Sequence, residues 1–226
     1  LESVRFVSEV LISPVTGPLS FVTHLESIRP DRFVINADGS SRIQITDNEL
    51  WNGRHAWSPQ GDRILYNEFL DSGLDLFVVN ADGSGVVQLT QNDSADAWGT
   101  WSPDGQQILF VSERDGDGEV FVMNADGSDV TQLTENDAPD AWPSWSPNGQ
   151  RLVYANLEDG LGEIFTMNPD GSDPRQITRN DTIDAWPVWS PTDNEVLYFG
   201  LDDISYRVYV SNLDGSSITA LDIQPI

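Results

Sequence analysis

Three short stretches carry most of the side chains that could do chemistry. Asn92-Asp93 with Asp96, Asn136-Asp137 with Asp140, and Asn180-Asp181 with Asp184 repeat one pattern at a fixed interval, and Asn48-Glu49 with Asn52 is a worn copy. Oxygen ligands in that number are what Ca²⁺ requires, and a negative chain favours a cation. Asp93, Asp96, Asp137, Asp140, Asp181 and Asp184 are therefore candidate metal ligands. The same residues have a second reading, because Asp and Asn side chains accept backbone N–H bonds within their own turns. Both readings stand at the level of sequence. Asp115-Gly-Asp-Gly-Glu119 has the look of a calcium loop but lacks the full ligand spacing, so a hairpin turn is the better reading. Asn92-Asp-Ser94 and Asn180-Asp-Thr182 match the glycosylation sequon, yet Asn136-Asp-Ala138 breaks it, so the match follows from the Asn-Asp turn.

Other chemistries have little to work with. Cysteine is absent, which removes disulfides, thiolate metal sites and Cys nucleophiles together. The two histidines, His24 and His55, lie in different units, so neither a Ser-His-Asp triad nor a histidine metal site is easily assembled. A glycosidase needs only two carboxylates, but they must sit in different environments to act as acid and nucleophile. Asp residues repeated in near-identical contexts should titrate alike. The expectation is a non-enzymatic protein, with a carbohydrate-active hydrolase or lyase using two rim carboxylates as the alternative.

Charge narrows the partners. Against 37 Asp plus Glu stand 11 basic residues, every one Arg, for a net charge of -26. Such a field repels phosphate backbones and anionic headgroups, so nucleic acid and membrane surfaces are poor partners. Eight Trp, nine Phe and five Tyr supply enough apolar surface for a folded core. No apolar run reaches the roughly 18 residues of a membrane-spanning helix, so membrane insertion is not expected.

The elements that must position these residues come from a repeat of 44 residues. Trp-Ser-Pro has its Trp at 57, 101, 145 and 189, and Asp-Gly-Ser begins at 38, 82, 126, 170 and 214. Between 81–124 and 125–168 more than half of the positions are identical, which marks a tandem array of propeller or solenoid type. The third unit serves as the template. Ala97–Ser102 reads as a first strand, Gln107–Ser112 as a second, Glu119–Met123 as a third and Val130–Thr134 as a fourth, with Asp-Gly supplying positive φ in the turns. The second and third strands are apolar throughout, so both faces of each sheet must be covered, as radial stacking of blades does. The two Trp of Asp96-Ala-Trp-Gly-Thr-Trp101 are three apart and on a regular strand would point to opposite faces, one onto each neighbouring blade.

The string 101–116, then Glu119-Val-Phe-Val-Met-Asn-Ala-Asp-Gly-Ser128 and Gln132-Leu-Thr134, resembles the repeat of TolB-type β-propellers. The resemblance runs in full repeats over about residues 31–226. It implies a propeller found mostly in bacterial periplasmic or surface proteins that bind other proteins, with relatives that form parts of peptidases and polysaccharide lyases. The combined expectation is an all-β fold: one five-bladed β-propeller over 1–226, with four-stranded antiparallel blades at about 1–46, 47–90, 91–134, 135–178 and 179–226. Each blade should use contiguous sequence, and the first should close the ring by packing on the fifth. A protein partner would bind the acidic rim carrying Asn52, Asp96, Asp140, Asp184, Trp98, Trp142 and Trp186, outside the cytoplasm, with Ca²⁺ as the candidate ion. A structural repeat of a surface assembly is a further alternative.

Overall fold

The computed structural model of the chain describes residues 7–14, 19–23, 31–36, 38, 40–46, 52–192, 194–201 and 206–221. Its strands fall into five four-stranded antiparallel sheets, each drawn from consecutive sequence. The first sheet holds β1 (Val7–Ile12), β2 (Leu19–Thr23), β3 (Asp31–Ile35) and β4 (Ile43–Gln44). The second holds β5 (Asn52–Trp57), β6 (Arg63–Leu70), β7 (Gly73–Asn80) and β8 (Val87–Gln88). In the third are β9 (Asp96–Trp101), β10 (Gln107–Ser112), β11 (Glu119–Asn124) and β12 (Thr131–Gln132). The fourth has β13 (Asp140–Trp145), β14 (Leu152–Asn156), β15 (Glu163–Met167) and β16 (Arg175–Gln176), with a 3-10 turn at Glu158–Gly160. The fifth has β17 (Ile183–Trp189), β18 (Glu195–Leu201), β19 (Tyr206–Asn212) and β20 (Ile218–Leu221). The expected outer strand 130–134 shrinks to two residues, because Asp129 turns to a φ of 54° just before it.

The repeated turn chemistry accounts for the hairpins. In every Asp-Gly-Ser turn the Asp Oδ1 accepts both the backbone N–H and the hydroxyl of the Ser, as in Ser84 to Asp82 and Ser128 to Asp126. Those bonds hold the carboxyls of Asp38, Asp82, Asp126, Asp170 and Asp214 below the usual range. Gly127 sits at φ 88° with its Cα against Leu89 of the preceding blade, where a Cβ would approach Leu89 O to 2.9 Å. Glycine is required there twice over.

Packing runs from each sheet to the next. Trp101 and the β10–β11 residues Ile108, Phe110, Phe121 and Met123 pack on Leu65, Leu76 and Val78 of the second sheet. One repeat later, Trp145, Leu152, Tyr154 and Met167 pack on Leu109, Val120 and Val122. One more repeat along, Val196 and Tyr198 meet Val153, Ala155 and Ile164, with Trp189 beside them. Successive residues of one strand thus serve opposite interfaces, which is why β10 is buried along nearly its whole length.

The end of the array differs. Among the described residues no strand pairing joins the fifth sheet to the first, and the sheet-to-sheet packing of the interior is not reproduced between them. Leu109 and Val111 of the third sheet are buried, whereas Val188 and Phe199 on the corresponding side of the fifth are 50% and 43% exposed. Closure by extensive packing of the first blade on the fifth, as expected from the repeat count, is not found among the described residues. Residues 1–6 and 222–226, the extreme ends of that expected seam, lie outside them.

Truncating an interface Trp should therefore be severe. Trp145→Ala is expected to cost about 3–5 kcal/mol in chemical denaturation, and Trp101→Ala about the same, because each empties a buried inter-blade slot. A loss no larger than that of a surface substitution would show that the slots are not what joins the blades.

Candidate functional site

The innermost strands of the five sheets gather around a central cavity of about 450 Å³. Its wall includes Leu11 from the first sheet, His55 from the second, Trp98 from the third, Trp142 from the fourth and Trp186 from the fifth. Three of these are the first Trp of each Asp-Ala-Trp. They do not sit in buried inter-blade slots of the kind the second Trp fills, although Trp142 is packed in part against the cluster between the fourth and fifth blades. Each innermost strand is interrupted by a β-bulge at this point, between the pairs opposite Leu109 and Val111, at Ala141/Ser144 and at Ala185/Val188. Trp98, Trp142 and Trp186 take left-handed backbone at φ 59°, 52° and 51°. The bulge re-aims their rings into the channel, while the second Trp keeps its interface slot.

The three indoles form a row. Trp98 and Trp142 meet edge to face with centroids 6.3 Å apart, and Trp142 and Trp186 are tilted at 5.1 Å. Phe199 extends the row at 6.0 Å from Trp186. Trp98 is 37% and Trp186 44% exposed. Bulky residues at positive φ cost roughly 1–3 kcal/mol each, and strain of this kind gathers where a site must be held open. Gly99 beside the first of them is pressed on the second sheet, where a Cβ would come 2.8 Å from Leu65 Cδ2.

The recurring carboxylates occupy another place. Asp96, Asp140 and Asp184 are almost fully buried at the start of each innermost strand, at the joint with the preceding blade, and not displayed on a rim. Asn92, Asn136 and Asn180 each donate their Nδ2 to the Asp four residues on, at 2.6, 2.9 and 2.8 Å. The same Asn side chains accept the backbone N–H two residues on, from Ser94, Ala138 and Thr182. Asp93, Asp137 and Asp181 point to solvent. Each expected metal pair therefore combines one exposed carboxylate with one buried carboxylate already held by an amide. Among the described residues no group of three or more acidic or histidine side chains is arranged to hold a metal ion. Asn52 opens β5, but its side chain, like Asn48 and Glu49, lies outside the described residues.

A second carboxylate at each joint escaped the sequence reading. Asp75, Glu119 and Glu163 lie at or near the start of their third strands, 44 apart, and each accepts the hydroxyl of Thr90, Thr134 or Thr178. Those hydroxyls in turn accept the N–H of Leu76, Val120 and Ile164. Glu119 Oε1 and Glu163 Oε1 also accept the N–H of Asn136 and Asn180. The result is a relay from an acid through Thr and Asn to the Asp of the next blade. Its signal was present in the spacing of the acids and Thr residues, but nothing in sequence told a buried acid from a solvated one. The joint at Asp96 includes a cation, with Arg114 Nη2 3.1 Å from the carboxylate. Burial pushes Glu119 up to about 7, with Asp140 nearby adding to the shift, and burial also raises Asp75, Asp140 and Asp184.

Five four-stranded sheets whose innermost strands surround an aromatic-walled cavity define a β-propeller. The family of the TolB beta propeller domain matches residues 7–217, and the chain belongs to that family. Among solved structures it is similar to a provisional TolB of Agrobacterium tumefaciens, with TM-score 0.77, 21% identity, and 95% of this chain and 80% of that one covered. Oligogalacturonate lyase of Vibrio parahaemolyticus is similar with TM-score 0.72 and 13% identity, covering 92% of this chain and 62% of the lyase. A puromycin hydrolase is similar with TM-score 0.78 and 14% identity, covering 95% of this chain and 37% of the hydrolase. At these identities the likeness is one of fold. No curated protein matches the sequence at a significant level.

The buried acids set a pH dependence. At pH values where an unfolded glutamate, near 4.5, has released its proton, folded Glu119 still holds one. Its contribution is complete below the unfolded value and is lost as pH rises to about 7, so stability should fall over that window. The turn aspartates, held low, act only in more acid solution. Thermal melts should drop as pH is raised from 4.5 to 7, and Glu119→Gln, neutral throughout, should flatten the decline. Melts that rise over the window would contradict the assignment.

Proposed function

We propose that this propeller is a non-enzymatic binding module that holds a segment of a partner protein in its central channel, outside the cytoplasm. The observation that carries this reading is the row Trp98, Trp142 and Trp186, kept half-open to the channel by left-handed backbone. Rigid aromatic side chains around a concavity are the usual anchors of protein recognition. Two further features support it. The described wall of the cavity includes no carboxylate, and its one histidine, His55, is buried. The acid relay lies at the blade joints, where it fastens the scaffold. The family to which the chain belongs is periplasmic in bacteria, and no helix among the described residues is long and apolar enough to cross a membrane.

The test is a selection of peptides on the folded chain, repeated with Trp98→Ala and Trp186→Ala. Peptides recovered with the native chain should lose affinity about 30-fold or more in these variants, the effect of removing a hot-spot aromatic, while the melting temperature stays close to native. Binders indifferent to both substitutions, or oligogalacturonides bound in place of peptides, would overturn the reading.

A further inference from the structure

Near-identical repeats allow each blade to serve as a template for the next. In blades two, three and four a pair of neighbouring rings faces the preceding joint: Tyr66 with Phe77 and Tyr154 with Phe165 stacked, Phe110 with Phe121 tilted, with centroids 5.5, 5.6 and 5.7 Å apart. One position in the loop between the second and third strands decides what covers that pair. At residue 70 it is Leu, which packs against the Tyr66 and Phe77 cluster. At residue 114 it is Arg, whose guanidinium lies 4.7 Å from the Phe121 centroid and 5.7 Å from that of Phe110. There it also pairs with Asp96 and donates from Nε to Ser112 Oγ at 2.8 Å.

At residue 158 the repeat places Glu, which starts the 3-10 turn and is exposed. Phe165 is left half-buried at the base of a cleft of about 710 Å³, with the buried ring of Tyr154 behind it, whereas Phe121 beneath Arg114 is buried. We infer that this cleft on the fourth blade receives a guanidinium group from another molecule, an arginine side chain of a partner, in the place that Arg114 fills from within on the third blade.

The chemistry of the cleft fits that ligand. A guanidinium is flat, stacks on aromatic faces and carries five N–H donors with no acceptor. The base offers the half-buried ring of Phe165, backed by Tyr154, and the lining adds the carboxylates of Glu135, Asp137 and Glu158 as acceptors. Asn136 and Asn156 also line it. Their Nδ2 groups donate to Asp140, so the acid corresponding to Asp96 is held without an internal cation. An anionic ligand would meet three carboxylates, and an aliphatic one would leave them facing it without a counter-charge. The cleft shares no lining residue with the central channel, so this inference stands apart from the function proposed for that channel.

N-acetylarginine methylamide is the probe, titrated into the isotopically labelled chain while the side-chain amides of Asn136 and Asn156 and the ring of Tyr154 are followed by NMR. Saturable shifts at these groups are expected in the millimolar range, with binding several-fold weaker for the lysine counterpart and absent for the neutral citrulline counterpart. Glu158→Arg supplies the cation in cis and should abolish the saturable response. Glu113→Arg, the same charge change at an exposed site on the third blade, should leave it intact. No saturable shift in the native chain, an equal response to the lysine or citrulline probe, or an unchanged response in Glu158→Arg would each overturn the inference.

Discussion

Both faces of every interior sheet are apolar, and that single constraint organises the molecule. A sheet whose second and third strands read Gln107-Ile-Leu-Phe-Val-Ser112 and Glu119-Val-Phe-Val-Met123 cannot leave either side in water. It is sandwiched instead, with Ile108 and Phe110 serving one neighbour and Leu109 the other. Stacking such sheets with a common twist carries their first strands to the inside, and the channel is a consequence of that arrangement.

Once the blades stack, their joints need more than hydrophobic contact, because each innermost strand begins where two blades meet. Backbone groups there are taken out of water and must be paired. The acid, Thr, Asn and Asp of each joint meet that need. Asp140 N donates to Gly118 O and Asp184 N to Gly162 O, so a loop of one blade is bonded to the first strand of the next. Trp101 Nε1 donates to Ala56 O across the joint of the second and third blades, and Trp189 Nε1 to Ser144 O across the joint that Asp184 also bridges. Asp96, Asp140 and Asp184, which looked like part of a metal rim, are fasteners of the blade joints, and at Asp140 and Asp184 the burial that makes them fasteners also raises their proton affinity.

The same economy frees one Trp of each pair. With the second Trp anchored in the interface, a single extra residue in the strand lets the first turn inward without disturbing the ladder on either side. Three successive blades do this, and their rings touch, so a contact surface larger than any one blade could offer arises from repetition alone. Departures from the repeat are informative for the same reason. Leu70, Arg114 and Glu158 occupy one position in three nearly equivalent settings, and of the three ring pairs there only the one beside Glu158 has a half-buried member, Phe165.

Much was legible in the sequence. The period of 44, the turn residues at fixed offsets and the unbroken apolar strands specified an all-β array of four-stranded units, because those signals are local or periodic and each repeat restates them. The interface role of Trp101 and Trp145 followed from the same reasoning. What the sequence by itself did not determine was which way the first Trp points, since a bulge is set by register against the neighbouring strand and leaves no mark in residue type. Nor did it tell a buried acid from an exposed one: Asp93 and Asp96 differ only by their place in a turn, yet one is solvated and the other sealed at a joint. The behaviour of the array's two ends was also beyond it. Closure depends on the angle between successive sheets, a property of packed surfaces that no single repeat encodes, and tertiary structure alone decided that Val188 and Phe199 would stay open to solvent.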